Sequence, residues 1–315
     1  MKKEFIVKHN VEDLFKRVEL EDSKTEEISV EKYSYWKSVF KSVIKKPSAI
    51  ISLSIILIIV LFALFAPMFS KYDVLNFSPS SANAYLEPNA KHWFGTDGMG
   101  RDMWTLVWTG TRTSLSFAVV VALINTVLGI VIGSIWGFFK KLDPIMIELR
   151  NFIYNIPSLL LYVLLLFVLP RSFWTLVFIL TLFGWMGLAN FVRNQIIIIQ
   201  NREYNIASNT LGSKPLKIIT HNLLPYLVSV IVTVVSTAIP EAISAEVGLS
   251  FFGLSFASDE AITIGRVLNN AASSGVWIEK PYVIIFSAFV VVSLTISFFT
   301  LGLNLADATD PKNHR

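Results

Sequence analysis

Six apolar stretches, each close to the length that crosses a bilayer, constrain this chain more than any other feature. A helix needs about 20 mostly apolar residues to traverse roughly 30 Å of hydrocarbon. The stretches fall at Ser48–Ala66, Ser114–Phe138, Phe152–Leu169, Ser172–Phe191, Leu223–Val247 and Tyr282–Leu303. Only Pro170 and Arg171 separate the third from the fourth, so that pair reads as a tight helical hairpin. Pro157 and Pro240 interrupt backbone hydrogen bonding and predict local kinks. Charged residues are 16% of the chain, against about a quarter in soluble domains. The expected fold class is therefore an all-α integral membrane bundle of six transmembrane helices, not an ordinary globular enzyme.

Orientation follows from the basic residues of the connections. With the amino terminus in the cytoplasm, 20 of the 27 Lys and Arg fall on inside segments. Both termini are thus expected in the cytoplasm. Residues 1–34 mix acids and bases without periodicity and read as a mobile cytoplasmic tail. Between Tyr35 and Lys46 apolar residues recur at three and four spacing, with lysines on the other face, the pattern of an interfacial amphipathic helix against anionic lipid. It and the first transmembrane helix make up residues 35–66. An extracellular segment, 67–111, comes next, then a membrane domain, 112–306, and a C-terminal tail, 307–315. No cleavable secretory pattern opens the chain.

Several chemistries are excluded. Cysteine is absent, which removes disulfides, thiolate metal sites and a cysteine nucleophile. His9, His92, His221 and His314 have no metal-ligand spacing, so no metal or cofactor site is expected on this chain. A net charge of +4 is too diffuse to imply nucleic acid. No phosphate-binding G-x-x-x-x-G-K-[ST] loop occurs; Gly95-Thr96-Asp97-Gly98-Met99-Gly100 lacks the Lys-Ser, and the acids of a calcium loop are missing after Asp97. Energy for active transport must then come from a partner. The spans are nearly free of ionisable groups, except that the fifth carries Glu241 and Glu246. These either line a solute path or are wetted interfacial carboxylates near the outer boundary. The absence of a relay of buried charges disfavours a stand-alone secondary transporter.

The connection between spans four and five is long, with two ordered pieces. Glu203–Leu211 reads as a short helix stopped at Gly212, a residue suited to the left-handed position after a helix. Ser213 is expected to cap the next helix, which carries Pro215 in its first turn, and Pro225 marks the start of the fifth span. Ala207 and Ser208 leave a low-profile surface. The loop is either a docking element for another protein or an interfacial hairpin lying on the membrane. At the other end of the bundle, Asp97, Arg101 and Asp102 form either an Asx turn with an ion pair or a solute contact. Gly129, Gly133 and Gly137 make one face of span two suitable for close contact, and it is expected to meet a neighbouring helix.

The residues also carry a resemblance. Ala207-Ser208-x3-Gly212, with His221-Asn222-Leu223-Leu224-Pro225, resembles the loop of permease subunits in ATP-binding-cassette importers, with Ile206 where the common pattern has Glu. The Gly95-Thr96-Asp97…Gly100-Arg101-Asp102 and Gly110-x-Arg112-x-Ser114-Leu115 segments are similar to those of dipeptide and oligopeptide importer permeases, more narrowly their C-type member. So are Glu246-Val247-Gly248-Leu249-Ser250-Phe251-Phe252-Gly253-Leu254 and Gly265-Arg266-Val267-Leu268. The resemblance implies a type I importer permease fold in the bacterial cytoplasmic membrane, with no ATPase of its own. It further implies a homologous second permease and two ATPase subunits that hold ATP and Mg, with an extracellular peptide-binding lipoprotein above. The docking loop would comprise Glu203, Ala207, Ser208, Leu211, Gly212, Ser213, Lys214, His221 and Pro225. Glu241, Glu246, Asp97 and Arg101 are candidates for the outer gate or path. A permease for nickel or another small solute is the alternative.

Overall fold

A computed structural model describes residues 35–74, 79–255 and 261–309. The expected tail, 1–34, lies outside them, as does the chain after Thr309. Compact packing divides the chain at Ser38, and the larger unit, from Val39 onward, holds the helical bundle. Every regular element among the described residues is helical, apart from one isolated bridge between Thr96 and Asp102.

Helix α1, Tyr35–Lys45, presents Lys37, Lys41 and Lys45 to the exterior and buries Val39 and Val43. Lys46 then turns into α2, Pro47–Phe69, with proline in the first turn, where its missing N–H costs nothing. Ala49, Ser52, Ile56, Ile59 and Ala63 recur at three and four spacing and are the buried stripe of α2. Its remaining apolar face is exposed, as expected for a helix whose outer side meets lipid.

Helix α3, Met103–Phe138, is the spine, about 54 Å long at 1.5 Å per residue. It packs against α2 and against three elements defined below. The connection to the next span breaks into α4, Asp143–Tyr154, and α5, Ser158–Val168, bent by 80° about Asn155-Ile156-Pro157. Here the structure departs from the expected local kink within one continuous third span. Pro157 has no N–H to continue the helical ladder, and it ends one helix and starts another instead of kinking one. A short turn at Leu169–Ser172 leads into α6, Phe173–Gly184, and α7, Met186–Gln200, which together run as a 28-residue apolar unit.

The expected fifth span is α10, Leu224–Phe251, reached through α8, Glu203–Thr210, and α9, Pro215–Lys217. Helices α11, Ile264–Ser273, and α12, Tyr282–Thr309, complete the bundle, and α3 packs on α7, α10 and α11. Among the described residues four helical stretches, α2, α3, α6–α7 and α12, are long and apolar enough to cross a membrane, or five if the bent α4–α5 pair counts as one; α10 is not among them. The glycines of α3 do meet a close neighbour, but it is α7 of the same chain. A Cβ on Gly133 would lie 2.5 Å from the Ala189 carbonyl oxygen, and one on Gly129 2.8 Å from Leu188. That approach lets two backbones pack where lipid gives no hydrophobic drive.

Candidate functional site

The elbow between α7 and α10 is assembled around one amide. Asn205 is the sole buried residue of α8. Its Nδ2 donates to the Ile199 carbonyl at 2.9 Å, and its Oδ1 accepts from Asn222 Nδ2 at 3.1 Å. A buried amide left unpaired costs about 1–3 kcal/mol; here both ends are satisfied, so α8 is strapped to the last turn of α7 and to the approach to α10. Beneath it Ile218, Ile219 and Leu223 pack with Val192, Ile196, Ile199 and Leu227. Ile218–Leu223 is a π-helical segment, a wide-turn geometry found mostly at functional sites.

The stop at Gly212 is as the sequence places it. Gly212 N–H donates to the Asn209 carbonyl at 3.0 Å and Ser213 N–H to the Ser208 carbonyl at 3.1 Å, the paired bonds of a Schellman ending. Gly212 has φ +79°, and nothing lies within 4 Å of a Cβ built on it. Glycine is therefore needed for the left-handed backbone and not for space. Ser213 does not cap the next helix. Lys214 occupies that position in extended conformation without a side-chain bond, because the helix begins at Pro215, one residue later than a cap at Ser213 requires.

Glu203, Ala207, Lys214, His221 and Pro225 are exposed around this elbow, with Pro225 in the first turn of α10. His221 Nδ1 lies 2.8 Å from the Thr220 hydroxyl. Ser208 is half-buried and donates its hydroxyl to the Tyr204 carbonyl. Leu211 at the tip is 86% exposed, with Leu216 at 72% and Ile206 at 54%. The elbow thus turns one apolar side into the bundle and leaves a second one uncovered by the chain.

Of the two carboxylates on α10, Glu246 is 0% exposed, which overturns both expectations for it. It is neither wetted nor on an open path. Ser114 Oγ donates to one carboxylate oxygen at 2.8 Å and Ser250 Oγ to the other at 2.9 Å. The Thr263 hydroxyl and the Gly265 N–H also reach it. Ser114 Oγ accepts in turn from Ile264 N–H at 3.1 Å, so α3, α10 and α11 are knotted at one point. Glycines allow the closeness: a Cβ on Gly110 would lie 2.9 Å from the Ile264 nitrogen, and one on Gly265 2.8 Å from Ser250 Oγ. Glu241, one turn and a half away, is exposed and lines a 350 Å³ cavity between α3, α5, α6, α7 and α10.

Asp97 and Arg101 engage each other. Asp97 accepts from the Met99 and Arg101 N–H groups at 3.0 and 2.8 Å, and from Arg101 Nε at 2.8 Å and Nη2 at 2.7 Å. Of the two readings this is the Asx turn with an ion pair, though both residues also border a 420 Å³ cavity beside α11. Asp102 caps α3 by accepting from Thr105 N–H at 2.9 Å, while its other oxygen lies 2.9 Å from His92 Nδ1.

Sequence reasoning missed three features. Asn205 was visible only as one polar residue of a short polar helix, and Asn222 only as part of the His221–Pro225 motif, with nothing to pair them. Arg193, seen only as a basic residue of a connection, clasps Asp143 through Nε at 2.7 Å and Nη2 at 2.5 Å. Trp136 Nε1 donates to the same carboxylate at 2.8 Å, which ties α3, α4 and α7 together. Asn125, on the cavity of Glu241, carried no signal.

Comparison with known proteins agrees with this architecture. Residues 129–314 match the family model described as binding-protein-dependent transport system inner membrane component. Residues 34–88 match the N-terminal TM domain of oligopeptide transport permease C. The chain is 41% identical over 303 residues to the oligopeptide transport system permease protein AmiD of Streptococcus pneumoniae, covering 96% of this chain and 97% of that one. It is 34% identical to the oligopeptide transport system permease protein OppC of Bacillus subtilis, over 91% of this chain and 93% of the relative. Identity to the dipeptide transport system permease protein DppC of the same organism is 36%, over 90% and 87%. The chain belongs to the family of binding-protein-dependent transport system inner membrane components, and it is a multi-pass membrane protein.

Proposed function

We propose that this chain is the membrane-spanning permease subunit of an ATP-driven peptide importer, one half of a channel completed by a homologous permease. The elbow carries this reading. A short helix strapped to the bundle by Asn205 holds Leu211, Leu216 and Ile206 in solvent, a surface suited to a groove on another protein. Because α8 is bonded to α7 and to the segment entering α10, a displacement of the elbow moves membrane helices with it. Two cytoplasmic ATPase subunits grip that elbow from below; they hold ATP and Mg, while this chain needs no cofactor and catalyses nothing itself. An extracellular receptor delivers the cargo.

Six spans follow in this reading: α2, α3, the bent α4–α5 pair, α6–α7, α10 and α12, with both termini in the cytoplasm of a bacterial cell. The relatives are oligopeptide and dipeptide permeases by name, which supports peptide as the cargo. Co-purification with the ATPases and ATP-driven peptide uptake test the proposal. Ala207→Glu places a charge on the low-profile surface and Gly212→Trp strains the left-handed stop; each is expected to abolish both readouts. Unchanged binding and uptake in the two variants would remove the docking role.

A further inference from the structure

Polar groups inside a membrane bundle are costly and mark function unless they are matched. Three clusters here are matched: Glu246 by its surrounding donors, Asp97 by Arg101, and Asp143 by Arg193 and Trp136. A fourth is not. The cavity beside α10 carries Asn125, Thr126, Tyr162, Thr237 and Glu241 in an otherwise apolar wall. It reaches well into the bundle, since Asn125 lies about 16 Å further along α3 than Ser114, which is bonded to Glu246.

Acceptors outnumber donors there. Glu241 is exposed, and no Lys, Arg or His lines the cavity among the described residues. Asn125 Oδ1 is buried without a partner. Thr237 spends its hydroxyl hydrogen on the Val234 carbonyl at 2.9 Å, which leaves only lone pairs to offer. Room for the amide is provided by Gly184, where a Cβ would come within 2.5 Å of Asn125 Nδ2. A wall of one carboxylate, three hydroxyls and one amide, with no imidazole, has too few ligands for a transition metal. It suits a donor-rich monocation.

We infer that Glu241 forms a station that reads the free α-ammonium of a peptide in transit. The exposed carboxylate takes the charge, on a wall that carries no competing cation among the described residues. This inference rests on the permease reading. It assigns the path a preference for unblocked amino termini that does not depend on the receptor.

The test uses the complete complex in liposomes, with one lysine-free tripeptide presented free and N-acetylated, each bound to the receptor. Glu241→Gln is expected to lower initial uptake of the free peptide about tenfold or more, the loss of one charged hydrogen bond, and to leave the acetylated peptide unchanged. ATPase co-purification and uptake of the acetylated peptide report that the variant is folded. Because this chain has no cysteine, Glu241→Cys offers a second arm. A methanethiosulfonate that adds a sulfonate is expected to restore uptake of the free peptide, and one that adds a quaternary ammonium to leave it low. Equal loss for both peptides, no loss for either, or rescue indifferent to the sign of the charge would overturn the station. A wild-type complex that imports neither peptide with ATP would overturn the permease reading itself.

Discussion

The elbow around Gly212 and the knot around Glu246 reverse each other's chemistry. At the elbow apolar side chains stand in solvent, and the one buried residue of α8 is an amide. At the knot a carboxylate is fully buried and accepts from four donors, on Ser114, Ser250, Thr263 and Gly265. The first arrangement leaves apolar surface uncovered by the chain, whereas the second is satisfied within it. A mutation at the knot should therefore damage the fold, and one at the tip of the elbow should damage only what the fold does.

The largest effect is expected for Glu246→Leu, which strands the hydroxyls of Ser114, Ser250 and Thr263 and the Gly265 N–H together. Thermal unfolding in detergent should show a loss of about 3 kcal/mol or more, with Glu246→Gln milder because it keeps an acceptor. Gly265→Ala comes next, at about 2 kcal/mol, because the added methyl meets Ser250 Oγ at 2.8 Å and the Val247 Cα at 2.9 Å. A loss no larger than that of a surface alanine would mean the helices there are loosely packed, and the contrast would fail.

At the elbow, Asn205→Leu removes both straps. Hydrogen exchange of α8 should quicken by an amount equivalent to about 1–2 kcal/mol, while global unfolding shifts little. Gly212→Ala is the smallest, about 1 kcal/mol of backbone strain, since no atom obstructs the methyl. If instead Gly212→Ala destabilised the whole bundle as Glu246→Leu does, the elbow would be part of the core and not an appendage to it.

Much of this was legible in the chain, for reasons that differ by element. Long apolar runs declare α2, α3 and α12 because periodicity is local. The Gly212 stop was legible because a left-handed residue after a helix selects glycine whatever surrounds it. Pro157 announced an interruption but not an 80° turn, since the angle is set by what α4 and α5 pack against. Glu246 was misjudged because its partner Ser114 lies 132 residues away, and nothing local separates a matched carboxylate from a wetted one. The Ser213 cap failed by a shift of one residue: the next helix begins at Pro215, which makes Lys214 its cap, and helix boundaries are the least local of these signals.

The central claim is that the elbow faces the compartment where ATP is hydrolysed and is gripped there by another subunit. A cysteine introduced at Ser213 in this cysteine-free chain tests it with a membrane-impermeant maleimide. The account predicts no labelling in intact cells, ready labelling in inverted vesicles stripped of ATPase subunits, and protection when those subunits are added back. Labelling from outside intact cells would contradict it.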